Sequence, residues 1–144
     1  MAGRVRRPAE FDDILQELKE KGIFPTFKDA MVFAAGLGYR RGNRKSFNKS
    51  SEPIRIDEFY GDYDRTIMNV LAVEETEDPN MIAPSLEEER IKIFEEYANG
   101  GLDILNREIR EGQQDWRSGL VSLVQREEEE HTILDDITEL AKFS

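Results

Sequence analysis

Glu128-x-x-His131 is the element most easily read as chemistry, because a glutamate three residues before a histidine on one helix face supplies two ligands to carboxylate-bridged di-iron centres. Those centres use the element twice, on facing helices, and His131 is the only histidine in the 144 residues. A di-iron centre within the chain is therefore excluded, and His131 is read as a structural or exposed side chain. There is no cysteine. Disulfides, thiolate metal sites, iron–sulfur ligation and cysteine nucleophiles are excluded with it. Gly36-Leu-Gly38-Tyr-Arg-Arg-Gly42 superficially resembles a phosphate loop, yet it follows a predicted helix instead of a strand and misses the G-x-G-x-x-G spacing. It reads as a helix C-cap entering a turn. No P-loop sequence occurs, and no serine sits in a nucleophile elbow of the kind that serves a Ser-His-Asp triad. Asp12-Asp13 and Asp135-Asp136 are adjacent pairs that do not face each other on a helix, so they read as solvated faces. The sequence thus predicts no catalytic residue, no bound metal and no cofactor, and a protein that is not an enzyme.

Cations are the remaining chemistry. Residues 1–49 carry 11 Lys/Arg against 6 Asp/Glu, a net of +5, whereas residues 50–144 carry 9 against 25, a net of −16. Arg4, Arg6 and Arg7 form one basic group, and Arg40, Arg41, Arg44, Lys45 and Lys49 form a second, interleaved with Tyr39, Phe47 and amide side chains. Arginine binds phosphate bidentately and aromatics stack on exposed bases, so these eight cations are candidate nucleic-acid contacts. The competing reading is that the loop neutralises acidic helices of the same protein or of a partner. The overall charge of −11 repels DNA at long range, although local patches still bind it when oriented. The acidic remainder suits docking onto a basic protein surface.

The elements that must position these residues are helical. Phe11, Ile14, Leu15 and Leu18 predict a helix over about 10–21 that stops at Gly22. Thr26 and Asp29 approximate a capping box for a second helix, which is apolar around much of its circumference and is expected to be central, ending at Gly36 and Gly38. Residues 39–53 have no apolar period and read as an exposed basic loop. Pro53-Ile-Arg-Ile-Asp57 has too few apolar residues to predict a strand and is left irregular. Asp62 or Asp64 can cap a third helix to about Glu75, and Pro79 and Pro84 enforce a loop. Ser85 with Glu88 forms an S-x-x-E capping box for a fourth helix, divided or kinked at Gly100-Gly101 from a continuation that ends near Gly112. A last helix begins near Asp115, and the three-four spacing of its apolar residues favours continuity through Glu127 to Glu130. The expected architecture is mostly α: a small single-domain bundle of about five to six helices, with a basic N-terminal arm over 1–9, a helical core over 10–112 and a C-terminal helix over 113–144 packing on it.

Three blocks resemble a known family. Phe24-Pro-Thr-Phe-Lys-Asp-Ala-Met-Val-Phe-Ala-Ala-Gly-Leu-Gly-Tyr39, Pro53-Ile-Arg-Ile56 and Glu95-Glu-Tyr-Ala-Asn-Gly-Gly-Leu102 are similar to DNA phosphorothioation-associated protein 4, found with bacterial Dnd-type DNA sulfur-modification and defence clusters. The likeness covers roughly residues 10–110, and the Trp116 to Phe143 extension matches least. It implies a small accessory subunit of an anti-phage or anti-plasmid system, working beside larger nuclease, ATPase or modification proteins. It supplies no catalytic residue. Tyr97, Asn99 and Trp116 are the candidate partner contacts, and double-stranded DNA is the alternative partner, met by the basic arm and loop. No apolar stretch follows Arg4 to Arg7 as an export signal needs, and no run approaches the roughly 18 apolar residues of a membrane span. The expectation is a cytoplasmic protein with no membrane partner; its oligomeric state is not legible in the sequence.

Overall fold

The computed structural model describes residues 3–59 and 61–129, together with the backbone of 130–142; the His131 side chain lies outside the described residues. Among the described residues it is mostly α, as expected, with five α-helices and a small two-stranded sheet. The chain divides into two compact units, Met1–Arg107 and Glu108–Ser144. The division falls within a π-helical turn, Asn106–Arg110, and not at Gly112.

The first unit is built around α4, Glu87–Leu105, in which every residue from Arg90 to Leu105 except Lys92 and Asp103 is buried. A helix enclosed all round is a core element. Against it lies α2, Phe27–Arg40, whose N-terminus is capped as expected: the Asp29 backbone N–H donates to Thr26 Oγ1 at 3.1 Å. Beside them stand α1, Asp12–Glu20, and α3, Asp62–Thr76. The centre of the unit is therefore α4, and α2 is its closest neighbour. Phe94 of α4 meets Phe59 edge-on, with ring centroids 5.5 Å apart, and both are fully buried.

Two expectations fail on the glycines. Gly36 and Gly38 do not end α2, which continues to Arg40, and Gly100-Gly101 does not divide α4. Gly38, Gly100 and Gly101 serve packing. A Cβ on Gly101 would lie 1.8 Å from the Ala34 carbonyl oxygen, and one on Gly38 would lie 2.1 Å from that of Tyr97. α2 and α4 thus touch backbone to backbone. Gly22, by contrast, does stop α1 in the left-handed region, at φ 70°.

The N-terminal residues are not an arm. Arg4–Pro8 forms β1, paired antiparallel with β2, Ser50–Arg55, in a register that sets Val5 opposite Ile54 and Arg7 opposite Ser51, with an irregularity between. Val5 and Ile54 are buried, which is what two apolar residues suffice to do when a partner strand supplies the hydrogen bonds. The Ser85/Glu88 capping box is also not realised. Pro84–Leu86 forms a 3₁₀ turn, and α4 starts at Glu87 without a side-chain cap.

In the second unit, α5 runs unbroken over Trp116–Lys142, so the continuity through Glu127 to Glu130 holds. The Ser118 backbone N–H donates to Asp115 Oδ2 at 3.1 Å, making Asp115 its cap. Gly119 abuts Ile109 so closely that a Cβ there would lie 2.9 Å from Ile109 Cγ2.

Gly101→Ala is expected to destabilise the protein by about 3 kcal/mol or more, because rigid backbone cannot retreat as a side chain can. Gly36→Ala, where a Cβ meets nothing within 4 Å, is expected to be neutral or slightly stabilising. Denaturant unfolding of the two variants measures both.

Candidate functional site: a basic loop clamped by acidic helices

The loop that carries the basic cluster leaves α2 at Arg41-Gly42, with Gly42 left-handed at φ 63°, and lies directly on α4. A Cβ on Gly100 would lie 1.7 Å from the Asn43 carbonyl oxygen, so only glycine allows the loop this close. Hydrogen bonds fix it there. The Asn43 backbone N–H donates to Gly38 O at 2.8 Å, Asn43 Nδ2 to Gly100 O at 2.9 Å, and the Lys45 backbone N–H to Glu96 O at 3.0 Å. Asn99, buried in α4, donates from Nδ2 to Lys45 O at 3.1 Å.

Side chains complete the clamp. Arg44 donates from Nε to Glu96 Oε1 at 2.8 Å, its Nη2 lies 2.7 Å from the same oxygen, and its Nη1 reaches Glu75 Oε1 on α3 at 2.6 Å. The Tyr97 hydroxyl donates to the other Glu75 oxygen, and the Arg44 guanidinium stands over the Tyr97 ring at 6.0 Å. Tyr39 packs edge-on against Tyr97, with centroids 5.7 Å apart, and donates to Glu74 Oε2 at 3.3 Å. Lys45 Nζ lies 3.4 Å from Asp103. The loop is thereby tied to both α3 and α4.

The β1 arginines do the same from the other side. The Arg6 backbone N–H donates to Glu95 Oε2 at 2.5 Å, its Nε to Glu95 Oε1 at 3.1 Å, and its guanidinium covers the Phe47 ring at 4.5 Å. Arg7 is only 5% exposed. Its Nε donates to Glu52 O at 2.7 Å, its Nη1 lies 3.0 Å from Asp12, and its guanidinium sits 4.0 Å over the Phe27 ring.

Ionisation follows these contacts. The Tyr97 hydrogen bond holds Glu75 below its ordinary carboxylate value, and Arg44 adds to this against a smaller opposing effect of burial. Burial and the bond to Glu75 push Tyr97 up to about 12. Glu95 moves the other way: burial raises it, and the bonds from Arg6 only partly offset that. For Arg44, burial works to lower the value, and Glu75 and Glu96 together outweigh it.

Of the candidate nucleic-acid contacts, Arg6, Arg7, Arg44 and Lys45 are thus engaged with carboxylates of this chain. Arg4, Arg40, Arg41 and Lys49 are exposed, and Arg40 and Arg41 have interactions of their own. The eight do not converge on one surface free of acidic neighbours. Tyr97, Asn99 and Trp116 are all buried; the first two are parts of the clamp, so whatever they contribute to a partner surface passes through the loop that they hold. Asn99 Oδ1 is buried with no hydrogen-bond partner among the described residues. Among those residues no group of three or more His, Asp or Glu side chains is arranged to hold a metal ion, and no helix is long and apolar enough to cross a membrane.

Sequence reasoning missed Glu75, Glu95, Glu96 and Asn43. Apolar spacing offers no signal for them: a stripe through Ile91, Phe94 and Tyr97 leaves Glu95 and Glu96 on the outer face of the helix, where acids read as solvated.

Glu75→Gln is expected to destabilise the fold by about 1–2 kcal/mol at neutral pH, since it removes one charge-assisted partner of Arg44 and Tyr97. Because the folded value of Glu75 is depressed, its contribution is full above the ordinary carboxylate pKa and disappears as pH falls through the depressed one. The gap between wild type and variant therefore closes in acid. Glu95, with its raised value, gives the wild type and the variant the same opposite trend, so their difference isolates Glu75. Urea unfolding of both proteins across the acid range tests this.

A family model described as DNA sulphur modification system-associated protein 4 matches residues 4–143, which extends the likeness through β1 and across α5. No curated protein and no solved structure matches the chain. The glycine contacts of α2 and α4, the clamp and the last helix all lie within the matched residues, and the chain belongs to the DNA sulphur modification system-associated protein 4 family.

Proposed function

We propose that the chain is a non-enzymatic accessory subunit of a bacterial DNA-modification and anti-phage or anti-plasmid defence complex, acting in the cytoplasm by binding a larger nuclease, ATPase or modification protein. The family's association with a DNA sulphur modification system supplies the setting. The observation that carries the docking role is the use made of the charges. Arg6, Arg44 and Lys45 are committed to Glu95, Glu96, Glu75 and Asp103, so the acidic groups that remain outward include Glu77, Glu88 and Glu89. Apolar side chains stand out on the same unit: Tyr63 is 71% exposed and Val70 48% exposed, one two-turn step apart on α3. An acidic surface with isolated apolar anchors suits a protein partner of basic surface better than a polyanion.

Co-purification with the products of the neighbouring sulfur-modification genes is the test. A partner is expected to be retained at low salt and released as salt rises, and Glu88→Lys combined with Glu89→Lys is expected to weaken it about tenfold with the unfolding midpoint unchanged. Failure to associate with any of those proteins sinks the proposal. The competing DNA-binding role, left with Arg4, Arg40, Arg41 and Lys49, predicts a shift of duplex DNA at low salt that is lost when Arg40 and Arg41 are both replaced by Ala. With about four phosphate contacts the logarithm of affinity would fall against that of salt with a slope near −3.6.

A further inference from the structure

A pocket of about 220 Å³ opens in the first unit between α3, the start of α4 and the segment that joins them. Ile56, Met68, Ile82 and Ile91 give it apolar walls, and two guanidinium groups, Arg65 and Arg90, line it with Glu87 and Asn69. The two arginines are held in the same way. Arg90, only 9% exposed, donates from Nη1 to Met81 O at 2.7 Å and to Ala83 O at 2.6 Å. Arg65 donates from Nε to Phe59 O, and its Nη2 lies 3.5 Å from Ile56 O. Backbone carbonyls thus orient one edge of each fork.

A guanidinium carries five N–H donors and a charge that carbonyls do not neutralise. Nη1 of Arg65 and both Nε and Nη2 of Arg90 make no hydrogen bond to a described residue, and neither arginine has a carboxylate of a described residue at ion-pair distance. This is unusual in a unit whose other buried cation, Arg7, is paired with Asp12. Arg90, nine-tenths buried, and the exposed Arg65 beside it have no counter-ion among the described residues, so the pocket presents uncompensated positive charge at its opening. Glu87 on its wall disfavours a second negative charge. A single negative charge carried on an apolar body satisfies both the donors and the walls.

We propose that this pocket receives the C-terminal carboxylate of a protein partner, with the apolar side chain of that last residue packed on Ile82 and Met68. Arg90 also shapes the entrance. Its two acceptors flank Ile82, which it holds at the mouth with 57% of that residue exposed. A nucleic acid is the less suited occupant, because exposed Asp57, Glu58 and Glu88 lie within two residues of lining positions and repel a chain of phosphates. The proposal deepens the docking role, yet the chemistry of the pocket is measurable without any partner.

Titrations of the isotope-labelled full chain with N-acetyl-leucine, N-acetyl-leucinamide and inorganic phosphate, followed by amide NMR, test it. N-acetyl-leucine is expected to move the resonances of Met68, Asn69, Ile82 and Arg90 saturably, with a dissociation constant of about 1–10 mM. N-acetyl-leucinamide and phosphate are expected to leave them in place. Arg65→Gln is expected to weaken binding at least tenfold, and Ile82→Glu, a surface change that leaves both arginines in position, is expected to do the same. Equal shifts from the amide overturn recognition of the charge. Stronger shifts from phosphate overturn the choice of carboxylate, and no shift at saturating concentrations, or full binding by Ile82→Glu, overturns the site. Loss of genomic-neighbour co-purification with pocket binding intact refutes the docking role alone.

Discussion

Direct contact between the backbones of α2 and α4 is the constraint on which the first unit depends. Gly38 and Gly101 let the helices approach until the carbonyls of Ala34 and Tyr97 occupy the space where a Cβ would be, and Gly100 extends the same closeness to the loop that follows α2. At that separation the Lys45 N–H and the Asn43 amide reach carbonyls of α4, and Arg44 falls between Glu75 and Glu96. A methyl group at any of the three positions would lift the loop from α4. Glu96 would then lose its cation, and Tyr97 and Glu75 would keep each other but lose Arg44.

Opposite pKa directions at Glu75 and Glu95 show that burial and pairing are balanced differently at the two sites. Glu75 is part-exposed and receives both Tyr97 and Arg44, so hydrogen bonding outweighs its desolvation. Glu95 is deeper in the unit, and even a backbone N–H and a guanidinium from Arg6 do not compensate for the water it has lost. Buried pairs of this kind add little net stability over an apolar packing, but removing one partner costs about 3–5 kcal/mol. Their effect is selective. β1 and the loop are fixed to one position on α4, because any other position would leave Glu95 or Glu96 buried without a cation.

Local patterns in the chain reveal its helices, and long-range contacts hide what the loops and glycines do. Thr26 and Asp29, the left-handed Gly22 and the apolar spacing of α5 through Glu130 each act within a few residues, and each was legible. Gly36-Leu-Gly38 and Gly100-Gly101 carry the same local mark as a helix end, yet both helices continue through them, and at Gly38, Gly100 and Gly101 a neighbouring backbone occupies the space that a side chain would need. The pairing of Arg4–Pro8 with Ser50–Arg55 spans more than forty residues, and no turn signal joins the strands. The basic cluster was visible as composition, while its partners Glu75, Glu95, Glu96 and Asp103 lie on helices far along the sequence. The alternative that the loop neutralises acids of its own protein is the one that the ion pairs of Arg44 and Lys45 match.

Charge segregation along the chain is therefore partly cancelled inside the first unit. Within the first unit, Arg6, Arg44 and Lys45 of the positive first third are spent on Glu75, Glu95, Glu96 and Asp103 of α3 and α4. The long-range field that a partner meets is that of a protein with a net charge of −11. Such a field slows the approach of DNA and speeds that of a basic protein surface, and its reach shrinks to about 8 Å at physiological salt. Within that distance the local pattern decides, and Arg65 and Arg90 break the acidity at one point with unneutralised charge. On the proposed reading the field governs how fast a partner arrives, and the arginine pocket governs in which orientation it can stay.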